Sequence, residues 1–420
     1  MKRILTFYLT FVALISCGTV TEAATPVVKT GIEVLRDRGF EGLTGKRVGL
    51  VTNPSGVDRH LNSTVDILFN APGVNLVALY GPEHGVRGDV YAGGKVADTK
   101  DPVTGLPVYS IYGATRKPTP EMLQGIDVIV YDIQDVGVRS YTFISSLGLV
   151  MEACGELGIE VMVLDRPNPL GGEKIEGNYV EPGFFSFVSQ YPIPYIYGLT
   201  VGELAVMINE EGMNRGQKGD QKPAVCRLTV VPMEGWTRDM LYEDTGLPWV
   251  LPSPNIPFKD TPQYYAAAGI CGELYGFMNI GIGYTLPFQV FGATWLDPEA
   301  LKSRLESYDL PGVSFRTIWF KPFSGSQKGQ LVKGLQYFFT DYPKARVTET
   351  QFYVMQAVAE LYPDKKAFEV ITGYGLFDKV CGTDYVRTEF KKNYRFSDIM
   401  EFWRKDEESF RRLSQRYHIY

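Results

Sequence analysis

Four ionisable side chains stand within seven positions of one another in the segment Leu76–Asp89, which reads LVALYGPEHGVRGD. They are Glu83, His84, Arg87 and Asp89. Carboxylate, imidazole and guanidinium groups are the groups that transfer protons and bind anionic substrates in enzymes. The apolar run before them predicts a strand buried on both faces, and Gly81-Pro82 ends it. The segment therefore predicts a loop of reactive groups directly after a buried strand.

Three more predicted strands end in polar side chains. The four strands are Lys46–Thr52, Leu76–Tyr80, Asp127–Ile133 and Glu160–Leu164. Helical patterns between them imply a mainly parallel sheet, in which ligands bind beyond the carboxyl ends of the strands. We therefore expect one edge of this sheet to bring together Asn53 and Ser55; Glu83, His84 and Arg87; Asp132, Gln134, Asp135, Arg139 and Tyr141; and Asp165, Arg166 and Asn168.

Each of these residues also has an ordinary structural interpretation. Asp135 with Arg139 fits an ion pair at the start of a helix, and Asp165 with Arg166 fits a salt bridge within a turn. Asn beside Pro is common in turns. The joint occurrence of so many polar groups at one predicted edge is what favours a functional site.

The rest of the chain predicts a second, less regular domain. A capping box at Thr200 and Glu203 begins a helix, and the proline-rich run Leu247–Gln263 is either a linker or a loop over the cleft. Further predicted helices are Thr119–Gln124, Phe143–Leu157, Pro298–Tyr308, Thr348–Leu361 and Phe396–Arg412. The predicted fold class is α/β, with a Rossmann-like catalytic domain over residues 25–250. A smaller α+β auxiliary domain that lines the cleft follows over residues 251–420.

The first 24 residues have the pattern of an export leader. Lys2 and Arg3 precede the apolar run Ile4–Ile15, which is too short to span a bilayer. The following residues resemble a bacterial lipobox, in which Cys17 is acylated, while cleavage near Ala23-Ala24 is the competing interpretation. Both predict an exported protein, periplasmic or associated with the outer membrane, whose contact with a membrane is through the lipid anchor alone.

Composition excludes some other classes. The 420 residues carry a net charge of −6 without a basic stripe, which argues against a nucleic-acid partner. Only three His residues are present, which argues against a multi-His zinc site. The remaining cysteines are scattered and specify no disulfide.

Five blocks in order give the sequence a family resemblance. They are TNPSG (52–56), GPEHGVRGD (81–89), DIQDVGVRSYT (132–142), DRPNPLGG (165–172) and EGN (176–178). They resemble the exo-β-N-acetylmuramidase family. The resemblance implies a Rossmann-like domain, an auxiliary domain and a cleft between them. It also implies release of N-acetylmuramic acid from the non-reducing ends of peptidoglycan fragments without a nucleotide cofactor, with Glu83 as the catalytic residue.

One block departs from the family pattern. The family usually has E-G-T-N-x-S-E-G-R-G-T before P-F-x-x-F-G-A, whereas residues 274–284 here read LYGFMNIGIGY. Ile280 and Ile282 stand where the block has Glu and Arg. If the block lines the pocket, a muramic acid carboxylate loses a potential Arg partner, so the identity of the released sugar stays open.

Glycoside hydrolysis usually needs two carboxyl groups. We expect Glu83 to be the general acid and His84 to orient it or contact the sugar. Candidates for the second carboxyl are Glu176, which we favour, Asp132 and Asp135. The expected substrate-binding residues are Arg139 and Arg166 for acidic groups, and Asn53, Asn168 and Tyr141 for hydroxyl and acetamido groups, with Arg87, Gln134 and Asp165 beside them.

Two other functions remain open at this stage. The altered block supports a glycan-binding lipoprotein that has lost catalysis, and binding of muropeptides without turnover would identify it. A phosphoryl or acyl transferase on the same sheet lacks a P-loop, a G-x-S-x-G motif and a metal cluster.

Overall fold

The core of the first domain is a seven-stranded sheet. A computed structural model describes residues 28–88, 99–216 and 218–420. Its strands are β1 (Arg47–Thr52), β2 (Asn75–Gly81), β3 (Thr99–Lys100), β4 (Pro107–Ser110), β5 (Val128–Asp132), β6 (Glu160–Leu164) and β7 (Arg227–Val231). The strand order is β3-β4-β2-β1-β5-β6-β7, and all neighbouring pairs are parallel except β3 with β4.

This order confirms the predicted Rossmann-like sheet. Apart from the antiparallel β3, successive strands are added outward from β1 on one side of the sheet (β1, β2, β4) and then outward from β5 on the other side (β5, β6, β7). The direction of winding therefore reverses between β1 and β5, which is where open α/β sheets form their ligand crevice. Strand β5 is buried along its whole length, as its continuous apolar sequence predicts.

Helices cover both faces of the sheet. They are α1 (Gly31–Asp37), α2 (Thr64–Asn70), α3 (Phe143–Leu157) and α4 (Val201–Glu210). Helix α4 begins at the predicted capping box, where the Thr200 hydroxyl accepts a hydrogen bond from the Glu203 amide at 3.2 Å. The predicted helix at residues 119–124 is wrong, since the chain forms successive turns there.

The second domain contains a small antiparallel sheet and several helices. Its strands β8 (Val290–Ala293), β9 (Val313–Phe320) and β10 (Val332–Phe339) are ordered β8-β10-β9. Its helices are α5 (Thr261–Gly272), α6 (Pro298–Glu306), α7 (Thr350–Leu361), α8 (Ala367–Val370), α9 (Gly375–Cys381), α10 (Tyr385–Asn393), α11 (Met400–Arg404) and α12 (Glu407–Ser414). Helix α5 was not predicted, because its proline and glycines hide an otherwise apolar helical segment.

The C-terminal segment returns to the first domain. The predicted single helix Phe396–Arg412 is instead the two short helices α11 and α12. Phe410 and Tyr417 are buried in the core formed by α3, α4 and the sheet. The Tyr420 hydroxyl donates a hydrogen bond to Asp165 Oδ2 at 2.7 Å, beyond the end of β6. The last residues therefore brace the loops at the carboxyl edge of the sheet rather than the auxiliary domain alone.

Candidate active site

Glu83 lies just beyond the end of β2, half-buried, and side chains from two other segments hold its carboxylate. The Tyr112 hydroxyl donates a hydrogen bond to Oε1 at 2.8 Å, and the Thr142 hydroxyl donates one to Oε2 at 2.9 Å. His84 and Gly85 both have a φ of 76°, so the chain turns sharply after Glu83. A left-handed conformation is uncommon for histidine and occurs often at functional sites. The loop thus fixes one carboxylate at the open edge of the sheet.

The other charged residues of this loop have different roles. The Arg87 guanidinium pairs with Asp101 through Nε at 2.8 Å and Nη2 at 3.0 Å. Burial by itself would raise the pKa of Asp101, but the bonds from Arg87 and Thr104 lower that pKa to about 2. Arg87 therefore braces the loop through a fixed ion pair. Asp89, the fourth ionisable residue of the segment, lies outside the described residues.

Aromatic rings form a wall beside Glu83. Tyr141 meets Tyr265 edge-on at 5.5 Å between ring centroids, and Tyr265 meets Phe288 at 5.0 Å. The hydroxyl of Tyr265 lies 2.9 Å from Ser140 Oγ. Burial raises the pKa of Tyr141, and the charge of Glu83 contributes to this shift. Such rings can pack against the apolar face of a sugar.

Glu273 is a second carboxyl near this wall, and sequence reasoning missed it. It directly follows α5, and Tyr265, Gly269 and Glu273 share one helical face at spacings of four. Burial raises the pKa of Glu273 to about 7, and in the described part of the chain no cation pairs with it. Burial also raises the pKa of Tyr265, and the charges of Glu273 and Glu83 add to this. One phenol therefore lies within electrostatic reach of both carboxyls.

The sheet brings Asp132 and Arg166 together, and their side chains form an ion pair with each other. Arg166 donates from Nε to Asp132 Oδ1 at 2.5 Å and from Nη2 to Oδ2 at 2.9 Å. The Thr64 hydroxyl donates to Asp132 Oδ2 at 2.5 Å, and Arg166 Nη2 also donates to the carbonyl of Val57 at 2.8 Å. Both side chains are buried. This ion pair joins the loops at the sheet edge, and the predicted roles of both residues in substrate binding or catalysis stay predictions.

Asp135, Gln134 and Asn53 are likewise buried among loops. Asp135 accepts hydrogen bonds from the Tyr197 hydroxyl at 2.5 Å and the Gly137 amide at 2.8 Å, and burial raises its pKa to about 6. Gln134 donates to the carbonyl of Pro167 at 2.7 Å. Asn53 donates to the carbonyl of Pro252 at 3.1 Å, so it ties the proline-rich segment to the sheet edge. These contacts assign the three side chains to the support of the site.

Arg139 and Glu176 join the two domains. Arg139 is buried and donates to the carbonyls of Asn178 and Ile193, both at 2.6 Å, and of Val380 at 2.9 Å. Burial lowers the pKa of Arg139 to about 10. The buried carboxylate of Glu176 accepts hydrogen bonds from backbone amides 347 and 348 at 3.1 and 2.8 Å and from the hydroxyl at 348 at 2.8 Å. The polar contacts of both side chains are therefore made within the protein, and the catalytic role of Glu176 and the substrate contact of Arg139 stay predictions.

Asp165 and Asn168 hold the loop after β6. Asp165 accepts hydrogen bonds from the Thr200 hydroxyl and the Gly202 amide, both at 2.7 Å, in addition to that of the C-terminal tyrosine. Burial raises the pKa of Asp165 to about 6. Asn168 donates to the carbonyl of Leu199 at 2.9 Å and accepts from the Leu170 amide at 2.9 Å. The polar atoms of both residues bind the protein itself, and their contacts with a substrate stay predictions.

The departing block is part of the packing beneath α5. Ile280 is buried, and a Cβ on Gly272 would lie 2.5 Å from Ile280 Cδ1. The carbonyl of Ile280 accepts a hydrogen bond from the Phe288 amide at 2.7 Å. At position 280 an isoleucine packed in the core therefore stands where the family block has a charged residue.

Comparison with known proteins gives consistent matches over both halves of the chain. Models described as exo-β-N-acetylmuramidase NamZ match residues 48–260 (N-terminal) and 263–420 (C-terminal). The peptidoglycan β-N-acetylmuramidase NamZ of Bacillus subtilis (strain 168) is 41% identical over 431 residues, covering 100% of each chain. Two solved structures of DUF1343 family proteins from Bacteroides fragilis NCTC 9343 are 53% and 28% identical, with TM-scores of 0.89 and 0.73. Each covers 94% of this chain and 99% of its own.

Proposed function

The chain belongs to the exo-β-N-acetylmuramidase NamZ family, and we propose that it is an exo-acting glycoside hydrolase. It releases N-acetylmuramic acid, or a closely related sugar, from the non-reducing ends of peptidoglycan fragments. The observation that carries this proposal is the position of Glu83, which is held by two hydroxyl groups at the carboxyl edge of the sheet beside an aromatic wall. Because the carboxylate of Glu176 is buried and bound by backbone amides, we propose another residue as the second carboxyl.

Glu273 is the second carboxyl of the proposed mechanism. A carboxyl with a pKa of about 7 holds its proton in a large part of the molecules at neutral pH, as a general acid requires. Glu273 donates this proton to the glycosidic oxygen as the bond to the anomeric carbon breaks. Glu83, which the sequence suggested as the general acid, has the other role in this proposal: it is the carboxylate that faces the developing positive charge on the sugar ring, and it accepts hydrogen bonds from Tyr112 and Thr142. A water molecule forms the new bond to the anomeric carbon and gives up a proton, which restores the acid form of Glu273.

Arg116 supplies a cation for an acidic sugar. Its guanidinium carbon lies 4.3 Å from the centroid of the Phe187 ring, and Phe187 lies 6.2 Å from the ring of Tyr112. Tyr112 in turn donates to Glu83. These contacts place a guanidinium beside the catalytic loop, where it can bind the lactyl carboxylate of muramic acid. Arg116 takes over the role that sequence reasoning gave to Arg139 and Arg166.

Two chromogenic substrates test the proposal. The purified chain without its predicted leader, residues 25–420, is assayed with the nitrophenyl β-N-acetylmuramide and β-N-acetylglucosaminide. We expect release from the muramide, abolished by Glu83→Gln and unchanged by the matched exposed control Glu299→Gln. Muramide turnover in Glu83→Gln close to that of the parent would remove Glu83 from the mechanism. Binding of muropeptides by a folded parent without any turnover would favour the non-catalytic glycan-binding lipoprotein.

Leaving-group dependence separates the two carboxyls. A nitrophenolate leaves readily without a proton, whereas a sugar alkoxide needs general-acid assistance. We therefore expect Glu273→Gln to lose about 100-fold or more in turnover of a disaccharide, while it keeps most of its turnover of the nitrophenyl muramide. Equal losses on both substrates would contradict the role of Glu273 as the proton donor.

The localisation is a separate proposal: the chain is exported and acylated on Cys17. It rests on the leader pattern in residues 1–24, which lie outside the described residues. Within the described residues, none of the helices is long and apolar enough to cross a membrane. Metabolic labelling with an alkyne fatty acid tests the proposal, with Cys17→Ser as the control variant. Label on the parent but not on the variant supports acylation, and an unlabelled parent contradicts it.

A further inference from the structure

The hairpin of β9 and β10 carries an unusual concentration of positive charge. Residues 310–340 contain four basic residues and no acidic residue, although the whole chain has a net charge of −6. The basic residues are Arg316, Lys321, Lys328 and Lys333. Within the described residues, none of the three lysines takes part in an ion pair, whereas many other lysines of the protein do. A local positive field therefore remains for an outside partner.

Apolar side chains are exposed on the same part of the hairpin. Trp319 and Lys333 are directly opposite each other across the β9–β10 ladder, so their side chains share one face. Alternation along the two strands places Lys321 and Leu331, one residue beyond the strand ends, on this face as well. We call these four residues the basic–aromatic face. Trp319 is 52% exposed and Leu331 51%, and Phe323 in the connecting loop is 64% exposed.

The fold of the hairpin does not require this exposure. Nearer the other end of the ladder, Phe315 and Tyr337 lie opposite each other and are buried in the core of the second domain. The same strand face is therefore covered at one end and open at the other. An exposed Trp with neighbouring apolar side chains is typical of a surface that binds a partner.

The open end of the hairpin is connected to the active-site wall. The amide of Phe323 donates to the carbonyl of Gly283 at 2.8 Å, and Asn279 Nδ2 donates to the carbonyl of Ser326 at 3.0 Å. The segment that makes these bonds leads directly to Phe288, which contacts Tyr265. Hydrogen bonds thus link the loop beside the basic–aromatic face to the segment that carries Phe288, the ring in contact with Tyr265.

We propose that the basic–aromatic face binds the remainder of the peptidoglycan strand, outside the cleft that holds the terminal sugar. This inference rests on the proposed function. An exo-acting enzyme encloses one terminal sugar, so the rest of its substrate must lie on the protein surface. That polymer combines sugar rings, which pack on tryptophan, with lactyl and peptide carboxylates, which attract lysines. The face offers both kinds of group side by side.

A comparison of polymer and small substrate tests this. The double variant Trp319→Ala/Lys333→Gln is compared with the purified parent protein. The matched control is Phe69→Ala/Lys379→Gln, which changes one exposed aromatic residue and one exposed lysine elsewhere. Binding is measured by sedimentation with insoluble peptidoglycan at low and high salt, and catalysis is measured with the nitrophenyl muramide.

The expected result is a loss of about tenfold in peptidoglycan affinity for the face variant alone, equivalent to the contribution of a few exposed contacts. The parent's binding should weaken with salt, and turnover of the nitrophenyl muramide should be unchanged in both variants. Equal peptidoglycan affinity of the two variants overturns the proposal, as does an equal loss of muramide turnover in the face variant.

Anionic phospholipid vesicles provide the other outcome. If only vesicle binding is lost in the face variant while peptidoglycan binding persists, the face binds a membrane surface and the proposal fails. Failure of the proposed function looks different, because the parent then releases no product from the muramide although its binding to peptidoglycan still depends on the face.

Discussion

Replacing Glu273 by glutamine should stabilise the protein at alkaline pH while it impairs the reaction. Partial burial raises the pKa of the Glu273 carboxyl from the ordinary value of 4.5 to about 7. A raised folded-state pKa means that the folded protein binds the proton more tightly than the unfolded chain. The resulting stability is fully present below pH 4.5 and is lost as the pH rises through about 7. Glutamine carries no ionisable proton, so the variant does not lose this stability as the pH rises.

The magnitude follows from the same two values. A difference of one in pKa between the folded and the unfolded chain corresponds to about 1.4 kcal/mol. Ionisation of Glu273 therefore lowers the free energy of unfolding by about 3 kcal/mol at pH 8. We therefore expect the free energy of unfolding of Glu273→Gln to exceed that of the parent by up to this amount at pH 8. At pH 4 the two proteins should differ little, because glutamine closely matches the shape of protonated glutamate.

Urea unfolding at pH 4 and pH 8 measures this difference. Glu299→Gln, on the exposed start of α6, is the control and should show no comparable pH dependence. A Glu273→Gln variant that is no more stable than the parent at pH 8 would refute the reasoning from burial. Greater stability combined with loss of disaccharide turnover would identify Glu273 as a residue retained for function at the expense of stability.

Three further predictions follow from the contacts. Glu176→Ala leaves the amides at 347 and 348 without their acceptor, so it should lower the free energy of unfolding by about 3 kcal/mol or more, as measured by urea unfolding. The turnover of molecules that remain folded should be unchanged. Loss of turnover in a stable variant would instead support a catalytic role for Glu176. Tyr420→Phe removes one donor to Asp165 and should cost about 1–2 kcal/mol of unfolding free energy, whereas an unchanged urea midpoint would show that the C-terminal contact contributes nothing. Arg116→Gln should raise KM for the muramide about tenfold with little change in kcat, because it removes one ion pair to the substrate, and an unchanged KM would exclude that contact.

Local patterns were sufficient to predict the framework that positions the site. Strand β6 and helix α3 have the predicted bounds, because a continuous apolar run and an apolar helical periodicity are properties of neighbouring residues. The capping box before α4 is equally local. Helix α5 escaped prediction, since its glycines and proline are typical of loops and its stability comes from packing in the second domain.

The convergence of polar loops was predictable, but their use was not. Parallel strands bring their carboxyl ends to one edge whatever residues follow them, and β1, β2, β5 and β6 do so here. Whether a polar group at that edge faces a ligand depends on the partners that folding provides. Asp132 meets Arg166, which is 34 positions away in the sequence, and the two neutralise each other.

The sequence by itself therefore determined the sheet, the family and the position of Glu83, since all three depend on short contiguous blocks. Only the tertiary structure decided which carboxyls are engaged by groups of the protein itself and which carboxyl has a raised pKa near the aromatic wall. Glu176 lies in a family-like block but caps a segment 171 positions further on, whereas Glu273 lies in none of those blocks. The physical reason is that desolvation and partner geometry act through space, so a carboxyl's neighbours in the fold set its protonation and its access to substrate.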